Sequence, residues 1–265
     1  MDNAMTLPSL ILSFSLVLIA LAINWKEKLE LGKEIIVAVV RMIVQLIIAG
    51  LLLKYIFKLD TVYITVAVVI IMLLNAAWQA SKRGKDIPHA FRISAIAIFI
   101  SAFIALAILV LTSALEITPN QMIPVAGMLA GVCMNIVGLS FTNLRMAYRD
   151  KRQEVQEKLA LGASVKQSSK AIIRESIKNS LQPTIDSTKT VGLVTLPGMM
   201  TGMIIAGVEP IMAIMYQIMI YFMMISSATI CAVIVIYQTY PTFFDEQGRL
   251  LQTANQKEKA KEDED

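Results

Sequence analysis

The chain has 265 residues, 56% of them hydrophobic, with a mean hydropathy of +0.66 and a formal net charge of +4. A soluble domain is usually about 45–50% apolar, so this excess, set out in long blocks, points to an all-α, polytopic membrane protein. The only two cysteines, Cys133 and Cys231, give no disulfide framework and no CxxC metal pattern, and the single His89 excludes a multi-histidine metal centre within one chain.

Crossing a bilayer takes about 20 mostly apolar residues. Seven runs qualify: 6–24, 35–57, 61–80, 93–115, 122–143, 191–208 and 211–238. The first resembles a leader, with Ala20-Leu21-Ala22 as a cleavage-like site. It is preceded by Asp2 and by no Lys or Arg, however, and a leader needs a basic start and a shorter apolar core. It reads as a first membrane helix. Lys26, Lys28 and Lys33 follow the first run, Lys82, Arg83, Lys85 and Arg92 follow the third, and a long basic segment follows the fifth. The other connections carry almost no positive charge. The positive-inside rule then predicts seven spans, with the N-terminus outside and the C-terminus inside.

The polar segment 145–190 holds ten Lys/Arg against five Asp/Glu. Val155 and Leu159 make a thin apolar stripe on a first helix, Gly162 is placed to cap it, and Ser164 with Gln167 forms a capping-box pattern for a second. Ile173, Ile177 and Leu181 recur at four-residue spacing, and Pro183 is expected to end that helix. The segment reads either as a solvated linker or as a docking element for a cytoplasmic partner, with the small residues of Leu161-Gly162-Ala163-Ser164 at its turn. The tail from Thr239 ends QKEKAKEDED and reads as polar and disordered.

Between Val191 and Gln217 the apolar chain carries Gly192, Gly198, Gly202, Gly207, Pro197 and Pro210. Gly and Pro are the poorest helix formers in water, but in a bilayer they permit close approach and kinks. Pro197 would act as a hinge, because it cannot donate to the carbonyl of residue 193. Gly198 and Gly202 would let two spans, from one copy or two, slide in contact.

Polar groups inside spans are functional candidates. Arg41, with Gln45 one turn on, is either an interface anchor or part of a cavity. Asn135 belongs to a small and polar stripe with Gly131, Gly138 and Thr142, suited to helix packing with a hydrogen bond across it or to lining a pathway. Half of the sixteen methionines fall between Met199 and Met224. Met199, Met203 and the stripe Met212, Met215, Met219, Met223 serve either as adaptable packing or as soft ligands. Glu209 is the acid near the mouth of the last hairpin. No GxxxxGK[ST] loop is present, so the chain does not bind ATP in the P-loop manner. No HExxH or GxSxG occurs either, and no pair of intramembrane carboxylates is evident for a proton relay.

Leu159-Ala160-Leu161-Gly162-Ala163-Ser164 resembles the coupling loop through which ABC permeases dock on their ATPase subunits, although Gln156 stands where the loop's Glu would fall. Val191-Gly192-Leu193-Val194-Thr195-Leu196-Pro197-Gly198-Met199-Met200-Thr201-Gly202, with Gly207, Pro210 and Tyr216-Gln217, resembles the FetB-type iron-export permeases and the plant aluminium-tolerance permeases of the ALS and STAR type. Arg41, Gln45 and Asn135 fit the same family. That resemblance implies a permease domain over 1–238, whose cytoplasmic loop 145–190 couples to a partner, followed by the tail 239–265. It implies a non-enzymatic subunit in the cell membrane, working as a homodimer with a separate ABC ATPase that holds ATP and Mg²⁺. No cofactor is expected on this chain, and no nucleic-acid partner. Glu157, Leu159, Leu161, Gly162, Ala163 and Ser164 would couple to the ATPase. Pro197, Gly198, Gly202 and Gly207 would form the hinge, and Arg41, Gln45, Asn135, Met199, Met203, Glu209, Tyr216 and Gln217 the substrate pathway. The implied cargo is a metal ion, iron first. The alternatives are a permease for a non-metal substrate and a membrane scaffold that recruits a cytoplasmic protein without transport.

Overall fold

The computed structural model describes residues 7–59, 61–245 and 247–251. They fall into two units, one up to Leu59 and one from Asp60 onward. In the first unit, α1 (Leu7–Ser13) and α2 (Ser15–Lys26) lead through a turn into α3 (Gly32–Leu59). Asn24 closes that turn: its backbone carbonyl accepts from the Leu29 amide at 3.1 Å, and its side-chain Oδ1 accepts from the Leu31 amide at 3.1 Å. α3 has 28 residues, about 42 Å at 1.5 Å per residue, and buries none of them within its unit.

The second unit is a helical bundle: α4 (Val62–Ser81), α5 (Ala90–Leu111), α6 (Pro119–Asp150), α7 (Arg152–Ala160), α8 (Val165–Thr190), α9 (Gly198–Ile205) and α10 (Pro210–Thr239). Its core rests on small residues. Ala76, Ala77 and Ala80 of α4, Ala97, Ala102 and Ala105 of α5, and Ala126 and Ala130 of α6 are buried together with Ile98, Leu129 and Val137. Apolar lipid supplies little drive for helices to associate, so close backbone approach through small side chains has to supply it. The buried hydroxyls of Ser94 and Ser101 donate to carbonyls of their own helix, Ala90 at 2.7 Å and Ala97 at 2.6 Å, and so need no partner elsewhere.

Helix directions follow from the contacts. Gly127 faces Met72 and Gly84 faces Phe141, so α4 and α6 run the same way. Cys231 Sγ lies 3.9 Å from the Cys133 carbonyl, and Ile236 and Phe243 join Leu144 and Tyr148 in a second core, so α10 runs with α6. At the opposite end, Ser113 and Ala114 border Met212 and Met215. Chain leaving the far end of α6 must therefore return along the whole bundle before α10 begins. α8 and α9 make that return, α8 packing on both α6 and α10 and α9 on α10. The end that carries α7 is also the basic end, with Lys82, Arg83, Lys85, Arg92, Arg145 and Arg149. The connections at the other end carry Glu116 and Glu209 and no Lys or Arg.

Among the described residues, five helices are long and apolar enough to cross a membrane: α3, α4, α5, α6 and α10, the fourth and fifth of these running to Asp150 and Phe243. Ile11–Lys26 is a shorter apolar helix. The expected runs 35–57, 61–80, 93–115, 122–143 and 211–238 fall on these five. Run 191–208 forms no spanning helix. It is a turn followed by the eight residues of α9, about 12 Å long. Pro183 does not end α8. It lies on an exposed face inside the helix, which runs on to Thr190 with one backbone bond missing at Asn179, held there by its packing on α6 and α10.

The tail also differs from expectation over its first part. Tyr240–Phe243 forms a 3₁₀ turn, and Phe243 stacks on Tyr148 with centroids 4.6 Å apart while Phe244 meets the same ring edge-on at 5.7 Å. Tyr148 Oη donates to Ser169 Oγ at 2.7 Å, so the α10 exit is fastened to α8. Residues 252–265, the rest of the tail read as disordered, lie outside the described residues.

A methyl group on Gly84 would come within 2.8 Å of the buried Phe141 ring. Gly84→Ala is expected to lower stability by about 1–3 kcal/mol through overpacking, read as a thermal shift in detergent, with Phe141→Leu in the same chain recovering part of the loss. An unchanged melting temperature would contradict this packing.

Candidate functional site

At the basic end α7 closes in a Schellman motif. The Ala163 amide donates to the Lys158 carbonyl and the Gly162 amide to the Leu159 carbonyl, both at 3.0 Å, and Gly162 takes φ +86°, where a side chain would be strained. Ser164 then caps α8: its Oγ accepts from the Gln167 amide at 3.3 Å while Gln167 Oε1 accepts from the Ser164 amide at 2.9 Å. Both caps match the sequence pattern. The apolar stripe does not serve a partner. Val155, Ile172 and Ile173 are buried against Leu144, Tyr148 and Phe243, and Leu159 and Ile177 pack on the same core. What projects is Leu161, 88% exposed at the tip of the turn. Glu157 and Ser164 are exposed beside it and Ala163 is half-buried. An ion pair of Lys151 with Glu175 braces the start of α7 against α8 and raises the lysine pKa.

At its far end α8 stops at Thr190, and the chain makes a tight turn. The Thr190 carbonyl accepts from the amides of Leu193, Val194 and Thr195, and the Gly192 amide donates to the Thr195 carbonyl at 2.9 Å with Gly192 at φ +85°. Pro197 is extended and stands before α9 as its N-cap residue. Its predicted role as a hinge within one helix is therefore corrected: Leu193 is not helical, and the break is the turn itself. Gly198 and Gly202 are corrected as packing residues inside the chain, since a methyl group on either would meet no atom within 4 Å. Gly207, at φ +93°, closes α9 with the amide of Val208 donating to the Met203 carbonyl.

The turn faces the first half of α10 across a cavity of about 450 Å³ lined by Thr188, Pro197, Met200, Gln217 and Tyr221 among others. Gln217 is buried, and its Oε1 meets no hydrogen-bond donor. A buried polar atom left unpaired costs about 1–3 kcal/mol, so this amide is held there against the bundle's stability. Its neighbour Tyr216 points elsewhere, into a separate cavity of about 290 Å³ with Met212, Met215 and Met219. Met199 packs on the bundle core and Met203 is half-buried, while Met200, absent from the predicted set, lines the larger cavity. Met223 is buried in the core but Met212 and Met215 are exposed, so the stripe changes environment along its length.

Glu209 and Asn135, in the same unit, do not line this cavity. Glu209 is exposed at the start of α10, without a capping bond. Asn135 is exposed on α6. Its supposed stripe makes no bond across helices: Arg83 covers Gly138, and Thr142 Oγ1 donates to the Gly138 carbonyl of its own helix at 3.0 Å. Arg41 and Gln45 are exposed on α3 in the other unit. Among the described residues no three His, Cys, Asp or Glu side chains come together.

A feature outside the predicted set lies on α8. Gln182, Asp186 and Lys189, at i, i+4 and i+7, share one exposed face. Gln182 Nε2 donates to both Asp186 oxygens at 2.9 Å, and Lys189 Nζ to Asp186 Oδ1 at 3.1 Å. Ser180 accepts from Asn143, near the basic end of the apolar stretch of α6, so Asp186 lies about 9 Å further along α8, beside apolar bundle. Sequence patterning assigns these residues no role, because Pro183 is expected to end the helix before Asp186 and Lys189.

A multi-pass helical bundle, returned between two parallel helices by a polar helix and a break, is the architecture of a membrane-embedded permease rather than of a soluble module. The family described as "Uncharacterised protein family (UPF0014)" matches residues 7–244, and the chain belongs to it. It is 48% identical to the "Probable iron export permease protein FetB" of Escherichia coli K12, covering 95% of this chain and 97% of that protein. It is 34% identical to "Protein ALUMINUM SENSITIVE 3" of Arabidopsis thaliana, over 88% of this chain and 86% of the relative, and 36% identical to "UPF0014 membrane protein YjkA" of Bacillus subtilis, over 92% and 98%. No solved structure matches the chain.

Gln217→Leu removes the unpaired acceptor and is expected to raise stability by about 1–3 kcal/mol, measured by thermal unfolding in detergent. A loss of stability would show that the amide has a partner in the folded protein.

Proposed function

We propose that the chain is the transmembrane subunit of an ABC exporter, moving a metal ion, iron first, with ATP hydrolysed on a separate subunit. The relative named as an iron export permease supports the cargo. The observation that carries the mechanism is the continuity of α8. One helix of 26 residues runs from the capped turn at Gly162–Ser164 to the break at 191–197, about 39 Å. A partner that seats Leu161 at one end moves the break at the other, because a helix transmits displacement along its axis with little give. The coupling residues in this reading are Glu157, Leu161, Gly162, Ala163 and Ser164, with Leu159 anchoring the turn from inside. ATP and Mg²⁺ belong to the partner.

In this reading the basic end of the bundle is cytoplasmic. The chain crosses seven times, with the N-terminus outside and the C-terminus inside, in the order α1–α2, α3, α4, α5, α6, α8–α9 and α10. The sixth crossing is thus the broken pair, not an apolar helix over 191–208. Gln217 and the cavity beside the break lie on the path that opens as α8 moves. In many secondary transporters substrate and coupling-ion sites lie at broken helices, where unwound carbonyls and helix ends supply ligands.

Leu161→Asp tests the coupling. The residue is exposed, so the fold is expected to survive, with an unchanged melting temperature and normal membrane insertion. In liposomes holding this chain and its ATPase, ATP-driven Fe²⁺ or Mn²⁺ flux is expected to fall about tenfold or more, the loss of one docking anchor worth about 1.4 kcal/mol or above. Full flux in this variant, or ATP hydrolysis by the chain purified alone, would contradict the proposal.

A further inference from the structure

Two cysteines meet in the core of the second unit, although their spacing in the sequence implies no disulfide framework. Cys133 of α6 and Cys231 of α10 are both fully buried, and both are free thiols. The Cys231 thiol donates toward the Cys133 carbonyl, with Sγ 3.9 Å from the oxygen, and the two thiols lie within hydrogen-bonding reach of each other. Ser101 Oγ, on α5, stands 3.5 Å from Cys133 Sγ. A single buried cysteine behaves as a small hydrophobe. Two in contact on neighbouring helices form a dithiol, with chemistry that neither has alone.

The surroundings decide which chemistry. None of the described buried residues is charged, and among the described residues no third His, Cys, Asp or Glu joins the pair. A soft monovalent cation held by two thiolates would leave a net negative charge in this apolar core, which is costly. Joining the two sulfurs buries no charge, because dithiol and disulfide are both neutral. The chain has two cysteines in all, so neither has a competing partner within the molecule.

We propose that Cys133 and Cys231 are an oxidation site, closing to an intrachain disulfide that ties α6 to α10. The oxidant is a peroxide; hydrogen peroxide is neutral and close to water in size. One sulfur takes a hydroxyl from the peroxide as the O–O bond breaks, and the other hydroxyl leaves with the thiol proton as water. The second sulfur attacks the resulting sulfenic acid. The S–O bond breaks, and that hydroxyl leaves with the second thiol proton as water. Two thiols are oxidised to one disulfide, and one peroxide is reduced to two waters. The sulfurs close from contact to about 2.05 Å.

The tie lies where it can restrain motion. Phe243 and Phe244 fasten the exit of α10 to Tyr148, and Gln217 lines the cavity beside the break. Cys231 lies between them, about 21 Å along α10 from Gln217. A bond there shortens the length of α10 that is free to move, so oxidation slows the opening of the cavity. The site stands on its own geometry, while this brake rests on the exporter reading for the motion it restrains.

The test exposes the full-length chain in native membranes to hydrogen peroxide over a time course. Remaining thiols are blocked with N-ethylmaleimide under denaturing conditions, and peptides are mapped by mass without reduction. A linked Cys133–Cys231 peptide is expected. It is expected to disappear with dithiothreitol and to be absent from Cys133→Ser and from Cys231→Ala. In detergent, amides of residues 192–221 are expected to exchange hydrogen about tenfold more slowly in the oxidised chain than in the reduced one. Peroxide is expected to leave that exchange unchanged in both variants, which separates the disulfide from oxidation of methionines. Two maleimide-blocked cysteines, sulfinic acid in place of the disulfide, or a disulfide between copies would overturn the site. A linked peptide with unchanged exchange would overturn the brake. None of these readouts needs ATP, the partner or flux, so an exporter reading that fails in flux assays fails separately.

Discussion

The second unit is governed by a directional constraint: α4, α6 and α10 run the same way. Three parallel helices in one chain require two returns. The first is α5, mostly apolar, with Ala97, Ala102 and Ala105 on its buried face. The second must be made between Asp150 and Pro210, largely through the long polar segment 145–190. A polar chain can make such a return only if its backbone bonds are closed internally and its side chains find protein or water. α8 meets the first condition as an unbroken helix despite Pro183. It meets the second by turning Ser168, Ser169, Ser176 and Ser180 toward α6 and α10, where small hydroxyls fit closely packed helices.

The same constraint links the two ends of the molecule. The Schellman turn and capping box at 158–167 fix the start of α8, and Tyr148, Ser169, Phe243 and Phe244 fasten it to the exits of α6 and α10. The other end is held less firmly. It meets the bundle across a cavity, beside an unpaired Gln217 and a turn whose glycine sits at positive φ. A structure fixed at one end and loosely packed at the other is suited to carry motion inward.

Much of this was legible in the sequence. The four spans of the bundle and the Gly162 and Ser164 caps each arise from local rules of period and capping, and each appears as read. The stripe 173–177–181 does form one helix face, but it packs on the protein's own core rather than on a partner. One misreading comes from tertiary packing overriding a local rule. Pro183 reads as a stop because a proline costs a helix one bond and some crowding, but packing against two neighbours outweighs that local cost. Ending the helix there turns 184–190 into loop, while the apolar run 191–208 is taken for a span on its hydropathy alone and is a turn followed by the short α9. The Met and Gln–Tyr residues of 199–217 were recognisable as unusual. Which of them share a cavity was not, because adjacent residues such as Tyr216 and Gln217 lie about 100° apart around α10 and line different cavities. Phe243 and Phe244 were hidden by the polar tail around them, although two adjacent aromatics in such a stretch are a signal of docking.

The central claim is that the chain between α6 and α10 crosses the membrane through a polar helix and a break. Single cysteines at Lys166 and Glu209, both exposed, test it most directly with a membrane-impermeant thiol reagent applied to one side at a time. The account predicts that Lys166→Cys reacts only from the side bearing the α7 end and Glu209→Cys only from the opposite side. Reaction of both from the same side would contradict it.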